Sequence, residues 1–300
     1  MATGSNNTDF SGTAGTGAPS LRTEVIDKVL KGFAPRKYKF KQAVTISGTN
    51  AWKNTFFRAD PDVLDSVTGN AVEGIPRGSN FPQMSVTFQE INAWVKKYGA
   101  EDTIFWEDIL SNDVDIMKRT IFKLTEKVIK TVDDRIYTCL SDGGTPADIQ
   151  SVSVGAADYW DGSSAAIIDD LMYAKQLIGE ANYDTSGLMC FINEKTHRAV
   201  VNYLAEKGAQ FPSVGNDMAR NGRIGKVAGV SFVVSNSVPS SQALVVVPKT
   251  CGTWKQSVSL RSDTETEAFK GTRVRIVEMG VPQLTDPDAV CLIEHIFLGA

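Results

Sequence analysis

The stretch GRIGKVAGVSFVVS at residues 222–235, followed by Val238-Pro239 and by ALVVVP at residues 243–248, decides how the rest of the chain is read. Its glycines, Gly222, Gly225 and Gly229, lead into two short runs rich in β-branched residues, 230–235 and 243–247. Both runs read as strands, and the glycines as turn positions that need positive φ. A nucleotide site is excluded in the same stretch. Gly225-Lys226 lacks the first glycine of a phosphate loop, where Arg220 stands, and its Ser/Thr, where Val227 stands. The glycines are also spaced three and four apart, whereas a dinucleotide fingerprint needs two and three.

Upstream of this stretch, Asn193 reads as the N-cap of a helix through Glu206, with Glu194 in the first turn and Gly208 past the end. A short strand at 188–192 precedes it, and before that a helix from about Ser164 to Ala181 buries Ile167, Leu171, Ala174 and Ile178. The strongest helical signal lies at 111–140. Val114, Met117, Ile121, Leu124, Val128, Val132, Ile136 and Leu140 recur at three and four, while Lys118, Lys123, Glu126, Lys127 and Lys130 face away. Ser111 or Asn112 caps this helix and Gly143-Gly144 stops it. At 1.5 Å per residue it spans about 40 Å, a length suited to bracing an elongated subunit. Downstream, strands are expected at 273–279 and 289–297.

Residues 43–98 read as a long hairpin, one strand near 50–58 and the other near 84–95. Between them lies a turn-rich stretch with Asp60-Pro61-Asp62, Thr68-Gly69-Asn70, Gly74-Ile75-Pro76 and Gly78-Ser79, long for a connection inside one domain. The second strand alternates through Met84, Val86 and Phe88, then changes phase to Ile91, Ala93 and Val95, which predicts a bulge near Gln89 and Glu90. An isolated two-stranded hairpin is marginal in water. Trp52, Phe56, Phe57, Arg58, Arg77 and Phe88 are therefore expected to contact another molecule. Just before the hairpin, Lys37, Tyr38, Lys39, Phe40 and Lys41 alternate base and ring, which at period two separates them onto two faces. This segment reads as a solvated face or an ion-paired contact between subunits in preference to a single-stranded nucleic-acid platform. Earlier still, Leu21, Val25, Ile26, Val29, Leu30 and Phe33 form one helical stripe, preceded by a polar tail at 1–19 with the composition of neither a signal peptide nor a membrane span.

Of 300 residues, 31 are basic and 35 acidic, a net charge of -4 that argues against tight phosphate binding. Cys139, Cys190, Cys251 and Cys291 are far apart and read as reduced core thiols. His197 and His295 accompany no nucleophile motif. Asp60, Asp62 and Asp65 fail the calcium-loop pattern, because Leu64 and Asp65 stand where a ligand and the glycine belong. Asp133-Asp134 and Asp169-Asp170 point apart on their helices and are expected to be solvated or salt-bridged. No catalytic residue, cofactor site or metal site emerges.

The glycine-punctuated turn, apolar strand and return strand of residues 222–248 resemble the axial domain of the Hong Kong 97-type major capsid proteins of tailed viruses of bacteria and archaea. Asn193-Glu194-Lys195-Thr196-His197 after an apolar strand is similar to that family's strand-to-helix junction, and Asp286-Pro287-Asp288-Ala289 to its return toward the peripheral domain. Ser231 departs from the pattern, since many relatives have proline there. The resemblance implies an α+β fold with an N-terminal arm, an extended β-hairpin loop, a long spine helix, and peripheral and axial domains. On this sequence the parts fall at 1–42 for tail and arm, 43–98 for the loop, and 99–162 for the peripheral domain with its helix at 113–140. The axial domain takes 163–270, and 271–300 returns to the peripheral domain.

The function implied is structural and not enzymatic: pentamers and hexamers of one chain closing an icosahedral shell in the host cytoplasm, around the viral genome. The alternative within the fold is an encapsulin-like compartment. Implied partners are other copies of the chain, a separate scaffolding protein, a portal and decoration proteins, with weak non-specific DNA contact, no membrane and no cofactor. Residues 60–80 contain no lysine, so a crosslink through a loop-tip lysine is not expected.

Overall fold

The computed structural model describes residues 38–59, 75–80, 88–107, 114–142, 149–155, 158–162, 164–207, 224 and 226–297. The expected helix at 21–33, the caps at 111–112, the stop at 143–144, Gly208 and the aspartates at 60–65 lie outside them.

Helix α1, Val114–Asp142, follows from its periodicity. Ile121, Val128, Val132, Ile136 and Leu140 are buried, while Lys123, Glu126, Lys127 and Lys130 are exposed. Its apolar face crosses a four-stranded sheet of order β1-β10-β11-β4. In that sheet β1 is Thr45–Gly48, β4 is Lys96–Phe105, β10 is Gly252–Glu267 and β11 is Gly271–Leu284. β1 runs parallel to β10, and the other pairs are antiparallel.

A second, six-stranded sheet has the order β5-β12-β9-β6-β8-β7. It is made of β5 (Gln150–Ser153), β6 (Met189–Ile192), β7 (Lys226–Val227), β8 (Val230–Val234), β9 (Ala243–Val246) and β12 (Val290–Glu294). β6 and β9 are almost wholly buried, which explains their lack of polar alternation. Helix α2, Ile167–Glu180, packs on β5 and β12 through the expected stripe of Ile167, Leu171, Ala174 and Ile178. Helix α3, Glu194–Lys207, starts where Asn193 Oδ1 accepts the Lys195 N–H at 3.1 Å. The Asn193 amide also donates to the Val238 carbonyl at 2.8 Å, tying the cap to the loop after β8.

The opening stretch behaves as its glycines require. β7 and β8 form a tight hairpin whose two turn residues, Ala228 and Gly229, have φ of 53° and 85°, the handedness that suits a two-residue hairpin. A strand follows Lys226 where a phosphate loop would need a helix.

Several expectations are corrected. β1, β4 and β10 were not anticipated. The boundary placed at residue 270 falls inside one sheet, because β10 and β11 pair along their lengths. β5 and β12, assigned to the peripheral part, belong with the second sheet. Over its described residues, 38–41, the alternation is no strand: Phe40–Gln42 is a 3-10 turn. Tyr38 and Phe40 enter the core of their own chain, where Phe40 is fully buried. Its ring stacks on Phe191 of β6 at 4.3 Å and lies 5.7 Å from Tyr137 of α1. One aromatic thus joins helix and second sheet, and neither ring is available for a contact between subunits.

Candidate intersubunit surface

β2 (Lys53–Ala59) and β3 (Phe88–Trp94) form a separate antiparallel ribbon. Its ladder is unbroken from Lys53↔Trp94 to Ala59↔Phe88, so the bulge expected at Gln89 and Glu90 is absent. At Val95 the chain leaves the ribbon and enters the first sheet as β4, and the Val95 N–H closes the ribbon base on the Trp52 carbonyl at 2.9 Å.

Period two gives the ribbon two unlike faces. Lys53, Thr55 and Phe57 with Glu90, Asn92 and Trp94 make one, and all six are exposed. On it Thr55 Oγ1 donates to Asn92 Oδ1 at 2.8 Å. Asn54, Phe56, Ile91 and Ala93 are half-buried on the other face, and Arg58 is buried at 5% exposure. The Arg58 guanidinium donates to the Leu284 carbonyl at the end of β11, through Nε at 3.3 Å and Nη2 at 3.1 Å. Burial lowers its pKa, and the charges of Cys139 and Asp286 oppose that. The idea that this hairpin takes its order only from another copy is therefore corrected at its base, which is pinned to its own subunit. Arg58 is a pin, not an intersubunit contact.

Phe57 at 62% exposure, Trp52 at 65% and Trp94 at 61% are left to solvent. Trp94 was not anticipated, although its place opposite Lys53 on the Phe57 face follows from the pairing. Phe57 and Trp94 share the outer face and Trp52 stands just before β2 at the ribbon base, and large exposed aromatics gathered in this way are the composition of a contact surface. Of the other expected residues, Arg77 is exposed in a turn closed by the Ser79 N–H on the Pro76 carbonyl at 3.1 Å. Lys39 is half-buried. Phe88 pairs with Ala59, but its side chain lies outside the described residues, as does Lys37.

A buried polar cluster sits where the 38–42 turn meets the first sheet. Tyr38 donates its hydroxyl to Glu278, and Lys41 forms an ion pair with the same carboxylate. The Lys41 ammonium also lies 3.6 Å from the Tyr38 ring centroid and 5.4 Å from that of Trp254. Burial raises the Tyr38 pKa, reinforced by the Glu278 charge, and lowers that of Lys41 against the pull of Glu278. Asp133 was expected to be solvated or salt-bridged; it is buried at 3% exposure, and desolvation pushes its pKa up to about 7.

Little here supports bond-making chemistry. Burial pushes the Cys251 and Cys291 thiols up to about 12 and raises Cys139 and Cys190 as well, so none is a ready thiolate. His295 Nδ1 is 3.3 Å from Ser153 Oγ, but both side chains are exposed. His197 is half-buried in the first turn of α3. Among the described residues no group of His, Cys, Asp and Glu is placed to hold a metal, and no helix is long and apolar enough to cross a membrane.

The fold is shared with solved capsids. The capsid of the cyanophage P-SCSP1u superposes with a TM-score of 0.67 at 13% identity, over 86% of this chain and 88% of that one. The mature capsid of bacteriophage PhiM1 gives 0.63 at 12%, over 86% and 87%. A virus-like particle from Pyrococcus furiosus gives 0.61 at 12%, over 91% and 99%. No curated protein matches the chain in sequence. Residues 91–293, about two thirds of the chain, match the family model described as phage capsid protein, in agreement with the resemblance carried by residues 222–248, and the chain belongs to the phage capsid protein family as a protein of the shell.

Proposed function

We propose that this chain is the major capsid protein whose copies close an icosahedral shell of pentamers and hexamers in the host cytoplasm, and that the outer face of the β2–β3 ribbon is a main contact between copies. The observation that carries this reading is the pair Phe57 and Trp94, each more than half exposed on the outer face of a ribbon whose other face is already seated on its own subunit, with Trp52 exposed beside the ribbon base. Burying them against a neighbour removes apolar area from water at about 25 cal/mol per Å². A closed symmetric shell repeats that gain at every copy, so no single contact has to be strong. Phe56, Arg77 and Lys39 remain candidates at its margins.

The first sheet with α1 is read as the peripheral part, and the second sheet with α2 and α3 as the axial part that closes rings. The net charge of -4 suits a shell that does not grip its packaged genome. Membership of a phage capsid family favours a genome-enclosing shell over an encapsulin-like compartment. A scaffolding protein, a portal and decoration proteins complete the expected set of partners, and the role needs no cofactor and no catalysis. Changing Phe57 and Trp94 together to Ser tests the reading: the subunit should keep its fold and lose the ability to sediment as particles. Particles as abundant and as heat-resistant as those of the parent chain would overturn it.

A further inference from the structure

Asp133 lies in the middle of α1, yet it acts on a turn 94 residues away in sequence. Its Oδ2 accepts the Lys39 N–H at 2.8 Å, and the Phe40 N–H also points at the carboxylate. Lys39 is the N-cap position of the 3-10 turn and makes no side-chain cap of its own. Asp133 therefore supplies from another element the cap that a local Asp or Ser would give. Its other oxygen, Oδ1, is buried without a hydrogen-bond partner among the described residues. The turn it holds carries Phe40, the residue stacked between α1 and the second sheet.

The charges around this carboxylate do not neutralise it. Lys39 and Lys41 come from the turn, Glu126, Lys130 and Asp134 from α1, and Glu194 from α3. The Tyr38 hydroxyl and the Lys41 ammonium are both committed to Glu278 on β11. The loop at 235–237, which closes the remaining side, carries no charge. The three cations Lys39, Lys41 and Lys130 are offset by the three acids Glu126, Asp134 and Glu194, so a negative charge here has two backbone donors and a bare oxygen in a site screened from water.

We propose that Asp133 is a proton-operated clasp on the 38–42 turn: protonation of its carboxyl tightens the seat of this turn between α1 and the two sheets, and loss of the proton loosens it. The direction follows from linkage. The carboxyl pKa stands near 7 when buried, against 3.8 for the open group. The clasped form thus binds the extra proton, and its advantage is complete below the open value and lost as pH rises through the buried one.

Hydrogen exchange on the full-length chain reads this directly. Protection of the amides of residues 39–43, corrected for intrinsic rate, should fall by roughly tenfold per pH unit between about pH 5 and 7 and then level off. In Asp133→Asn that dependence should vanish, whereas in Asp134→Asn it should persist. An undiminished pH dependence in Asp133→Asn would overturn the proposal. Should that variant not fold, the carboxyl carbon resonance of Asp133 in the unaltered chain decides: a midpoint near 7 is expected, and one below 5 refutes the clasp.

Discussion

The Arg58 guanidinium donates to the main-chain carbonyl of Leu284, 226 residues away, and this bond fixes the ribbon to the end of β11. The pin turns one ribbon face inward and so determines which aromatics are left for a neighbour. Arg58→Ala strands a buried carbonyl and should cost the subunit about 1–3 kcal/mol. Urea unfolding of the unassembled chain measures it; an unchanged midpoint would mean that the pin does not hold in solution.

Phe40 and Phe57 should behave oppositely. Phe40→Ala empties a fully enclosed site and is expected to cost about 3–5 kcal/mol, enough to leave much of the chain insoluble. Phe57→Ala removes an exposed ring and should change subunit stability by less than about 0.5 kcal/mol. Its effect should be on particle yield, and comparing thermal melts with sedimentation separates the two.

The Lys41–Glu278 pair is buried on both sides, at 10% and 0% side-chain exposure. Lys41→Met alone leaves a carboxylate without its cation and should destabilise by about 3–5 kcal/mol. Adding Glu278→Gln should recover a large part of that loss. A double variant as unstable as Lys41→Met would show that the cluster is held by packing and not by charge.

Gly280 faces the ring of Trp254, and a Cβ there would lie 2.5 Å from a ring carbon. Trp254 is itself fully buried. Gly280→Ala should therefore force the indole to shift, at about 1–3 kcal/mol, visible as altered tryptophan fluorescence together with a lowered melting temperature.

The sequence carried the helices and the apolar strands well, because their signals are local. The stripes of α1 and α2, the Asn193 cap and the strands β6, β8, β9 and β12 all follow from period and composition. β10 was illegible for a physical reason. Past Leu260 its inward positions are Ser262 and Thr264, and its outward ones Arg261, Asp263 and Glu265, so no apolar alternation marks it. β4 was hidden in the same way, with only Ile104 fully buried along its length. Tyr38, Phe40, Lys41 and Arg58 were misplaced because their partners Glu278, Phe191 and Leu284 are more than 150 residues away. A local charge-and-ring alternation cannot reveal that the rings point into one's own core. Trp52 and Phe57 were legible as candidate contacts, since large aromatics in a hairpin too thin to bury them need another surface.

A cryo-electron microscopy map of particles assembled from the full-length chain tests the central claim most directly. It should show Trp52, Phe57 and Trp94 covered by a second copy, with Arg58 still bonded to Leu284 of its own chain. A closed shell in which that ribbon face stays open to solvent would contradict the account.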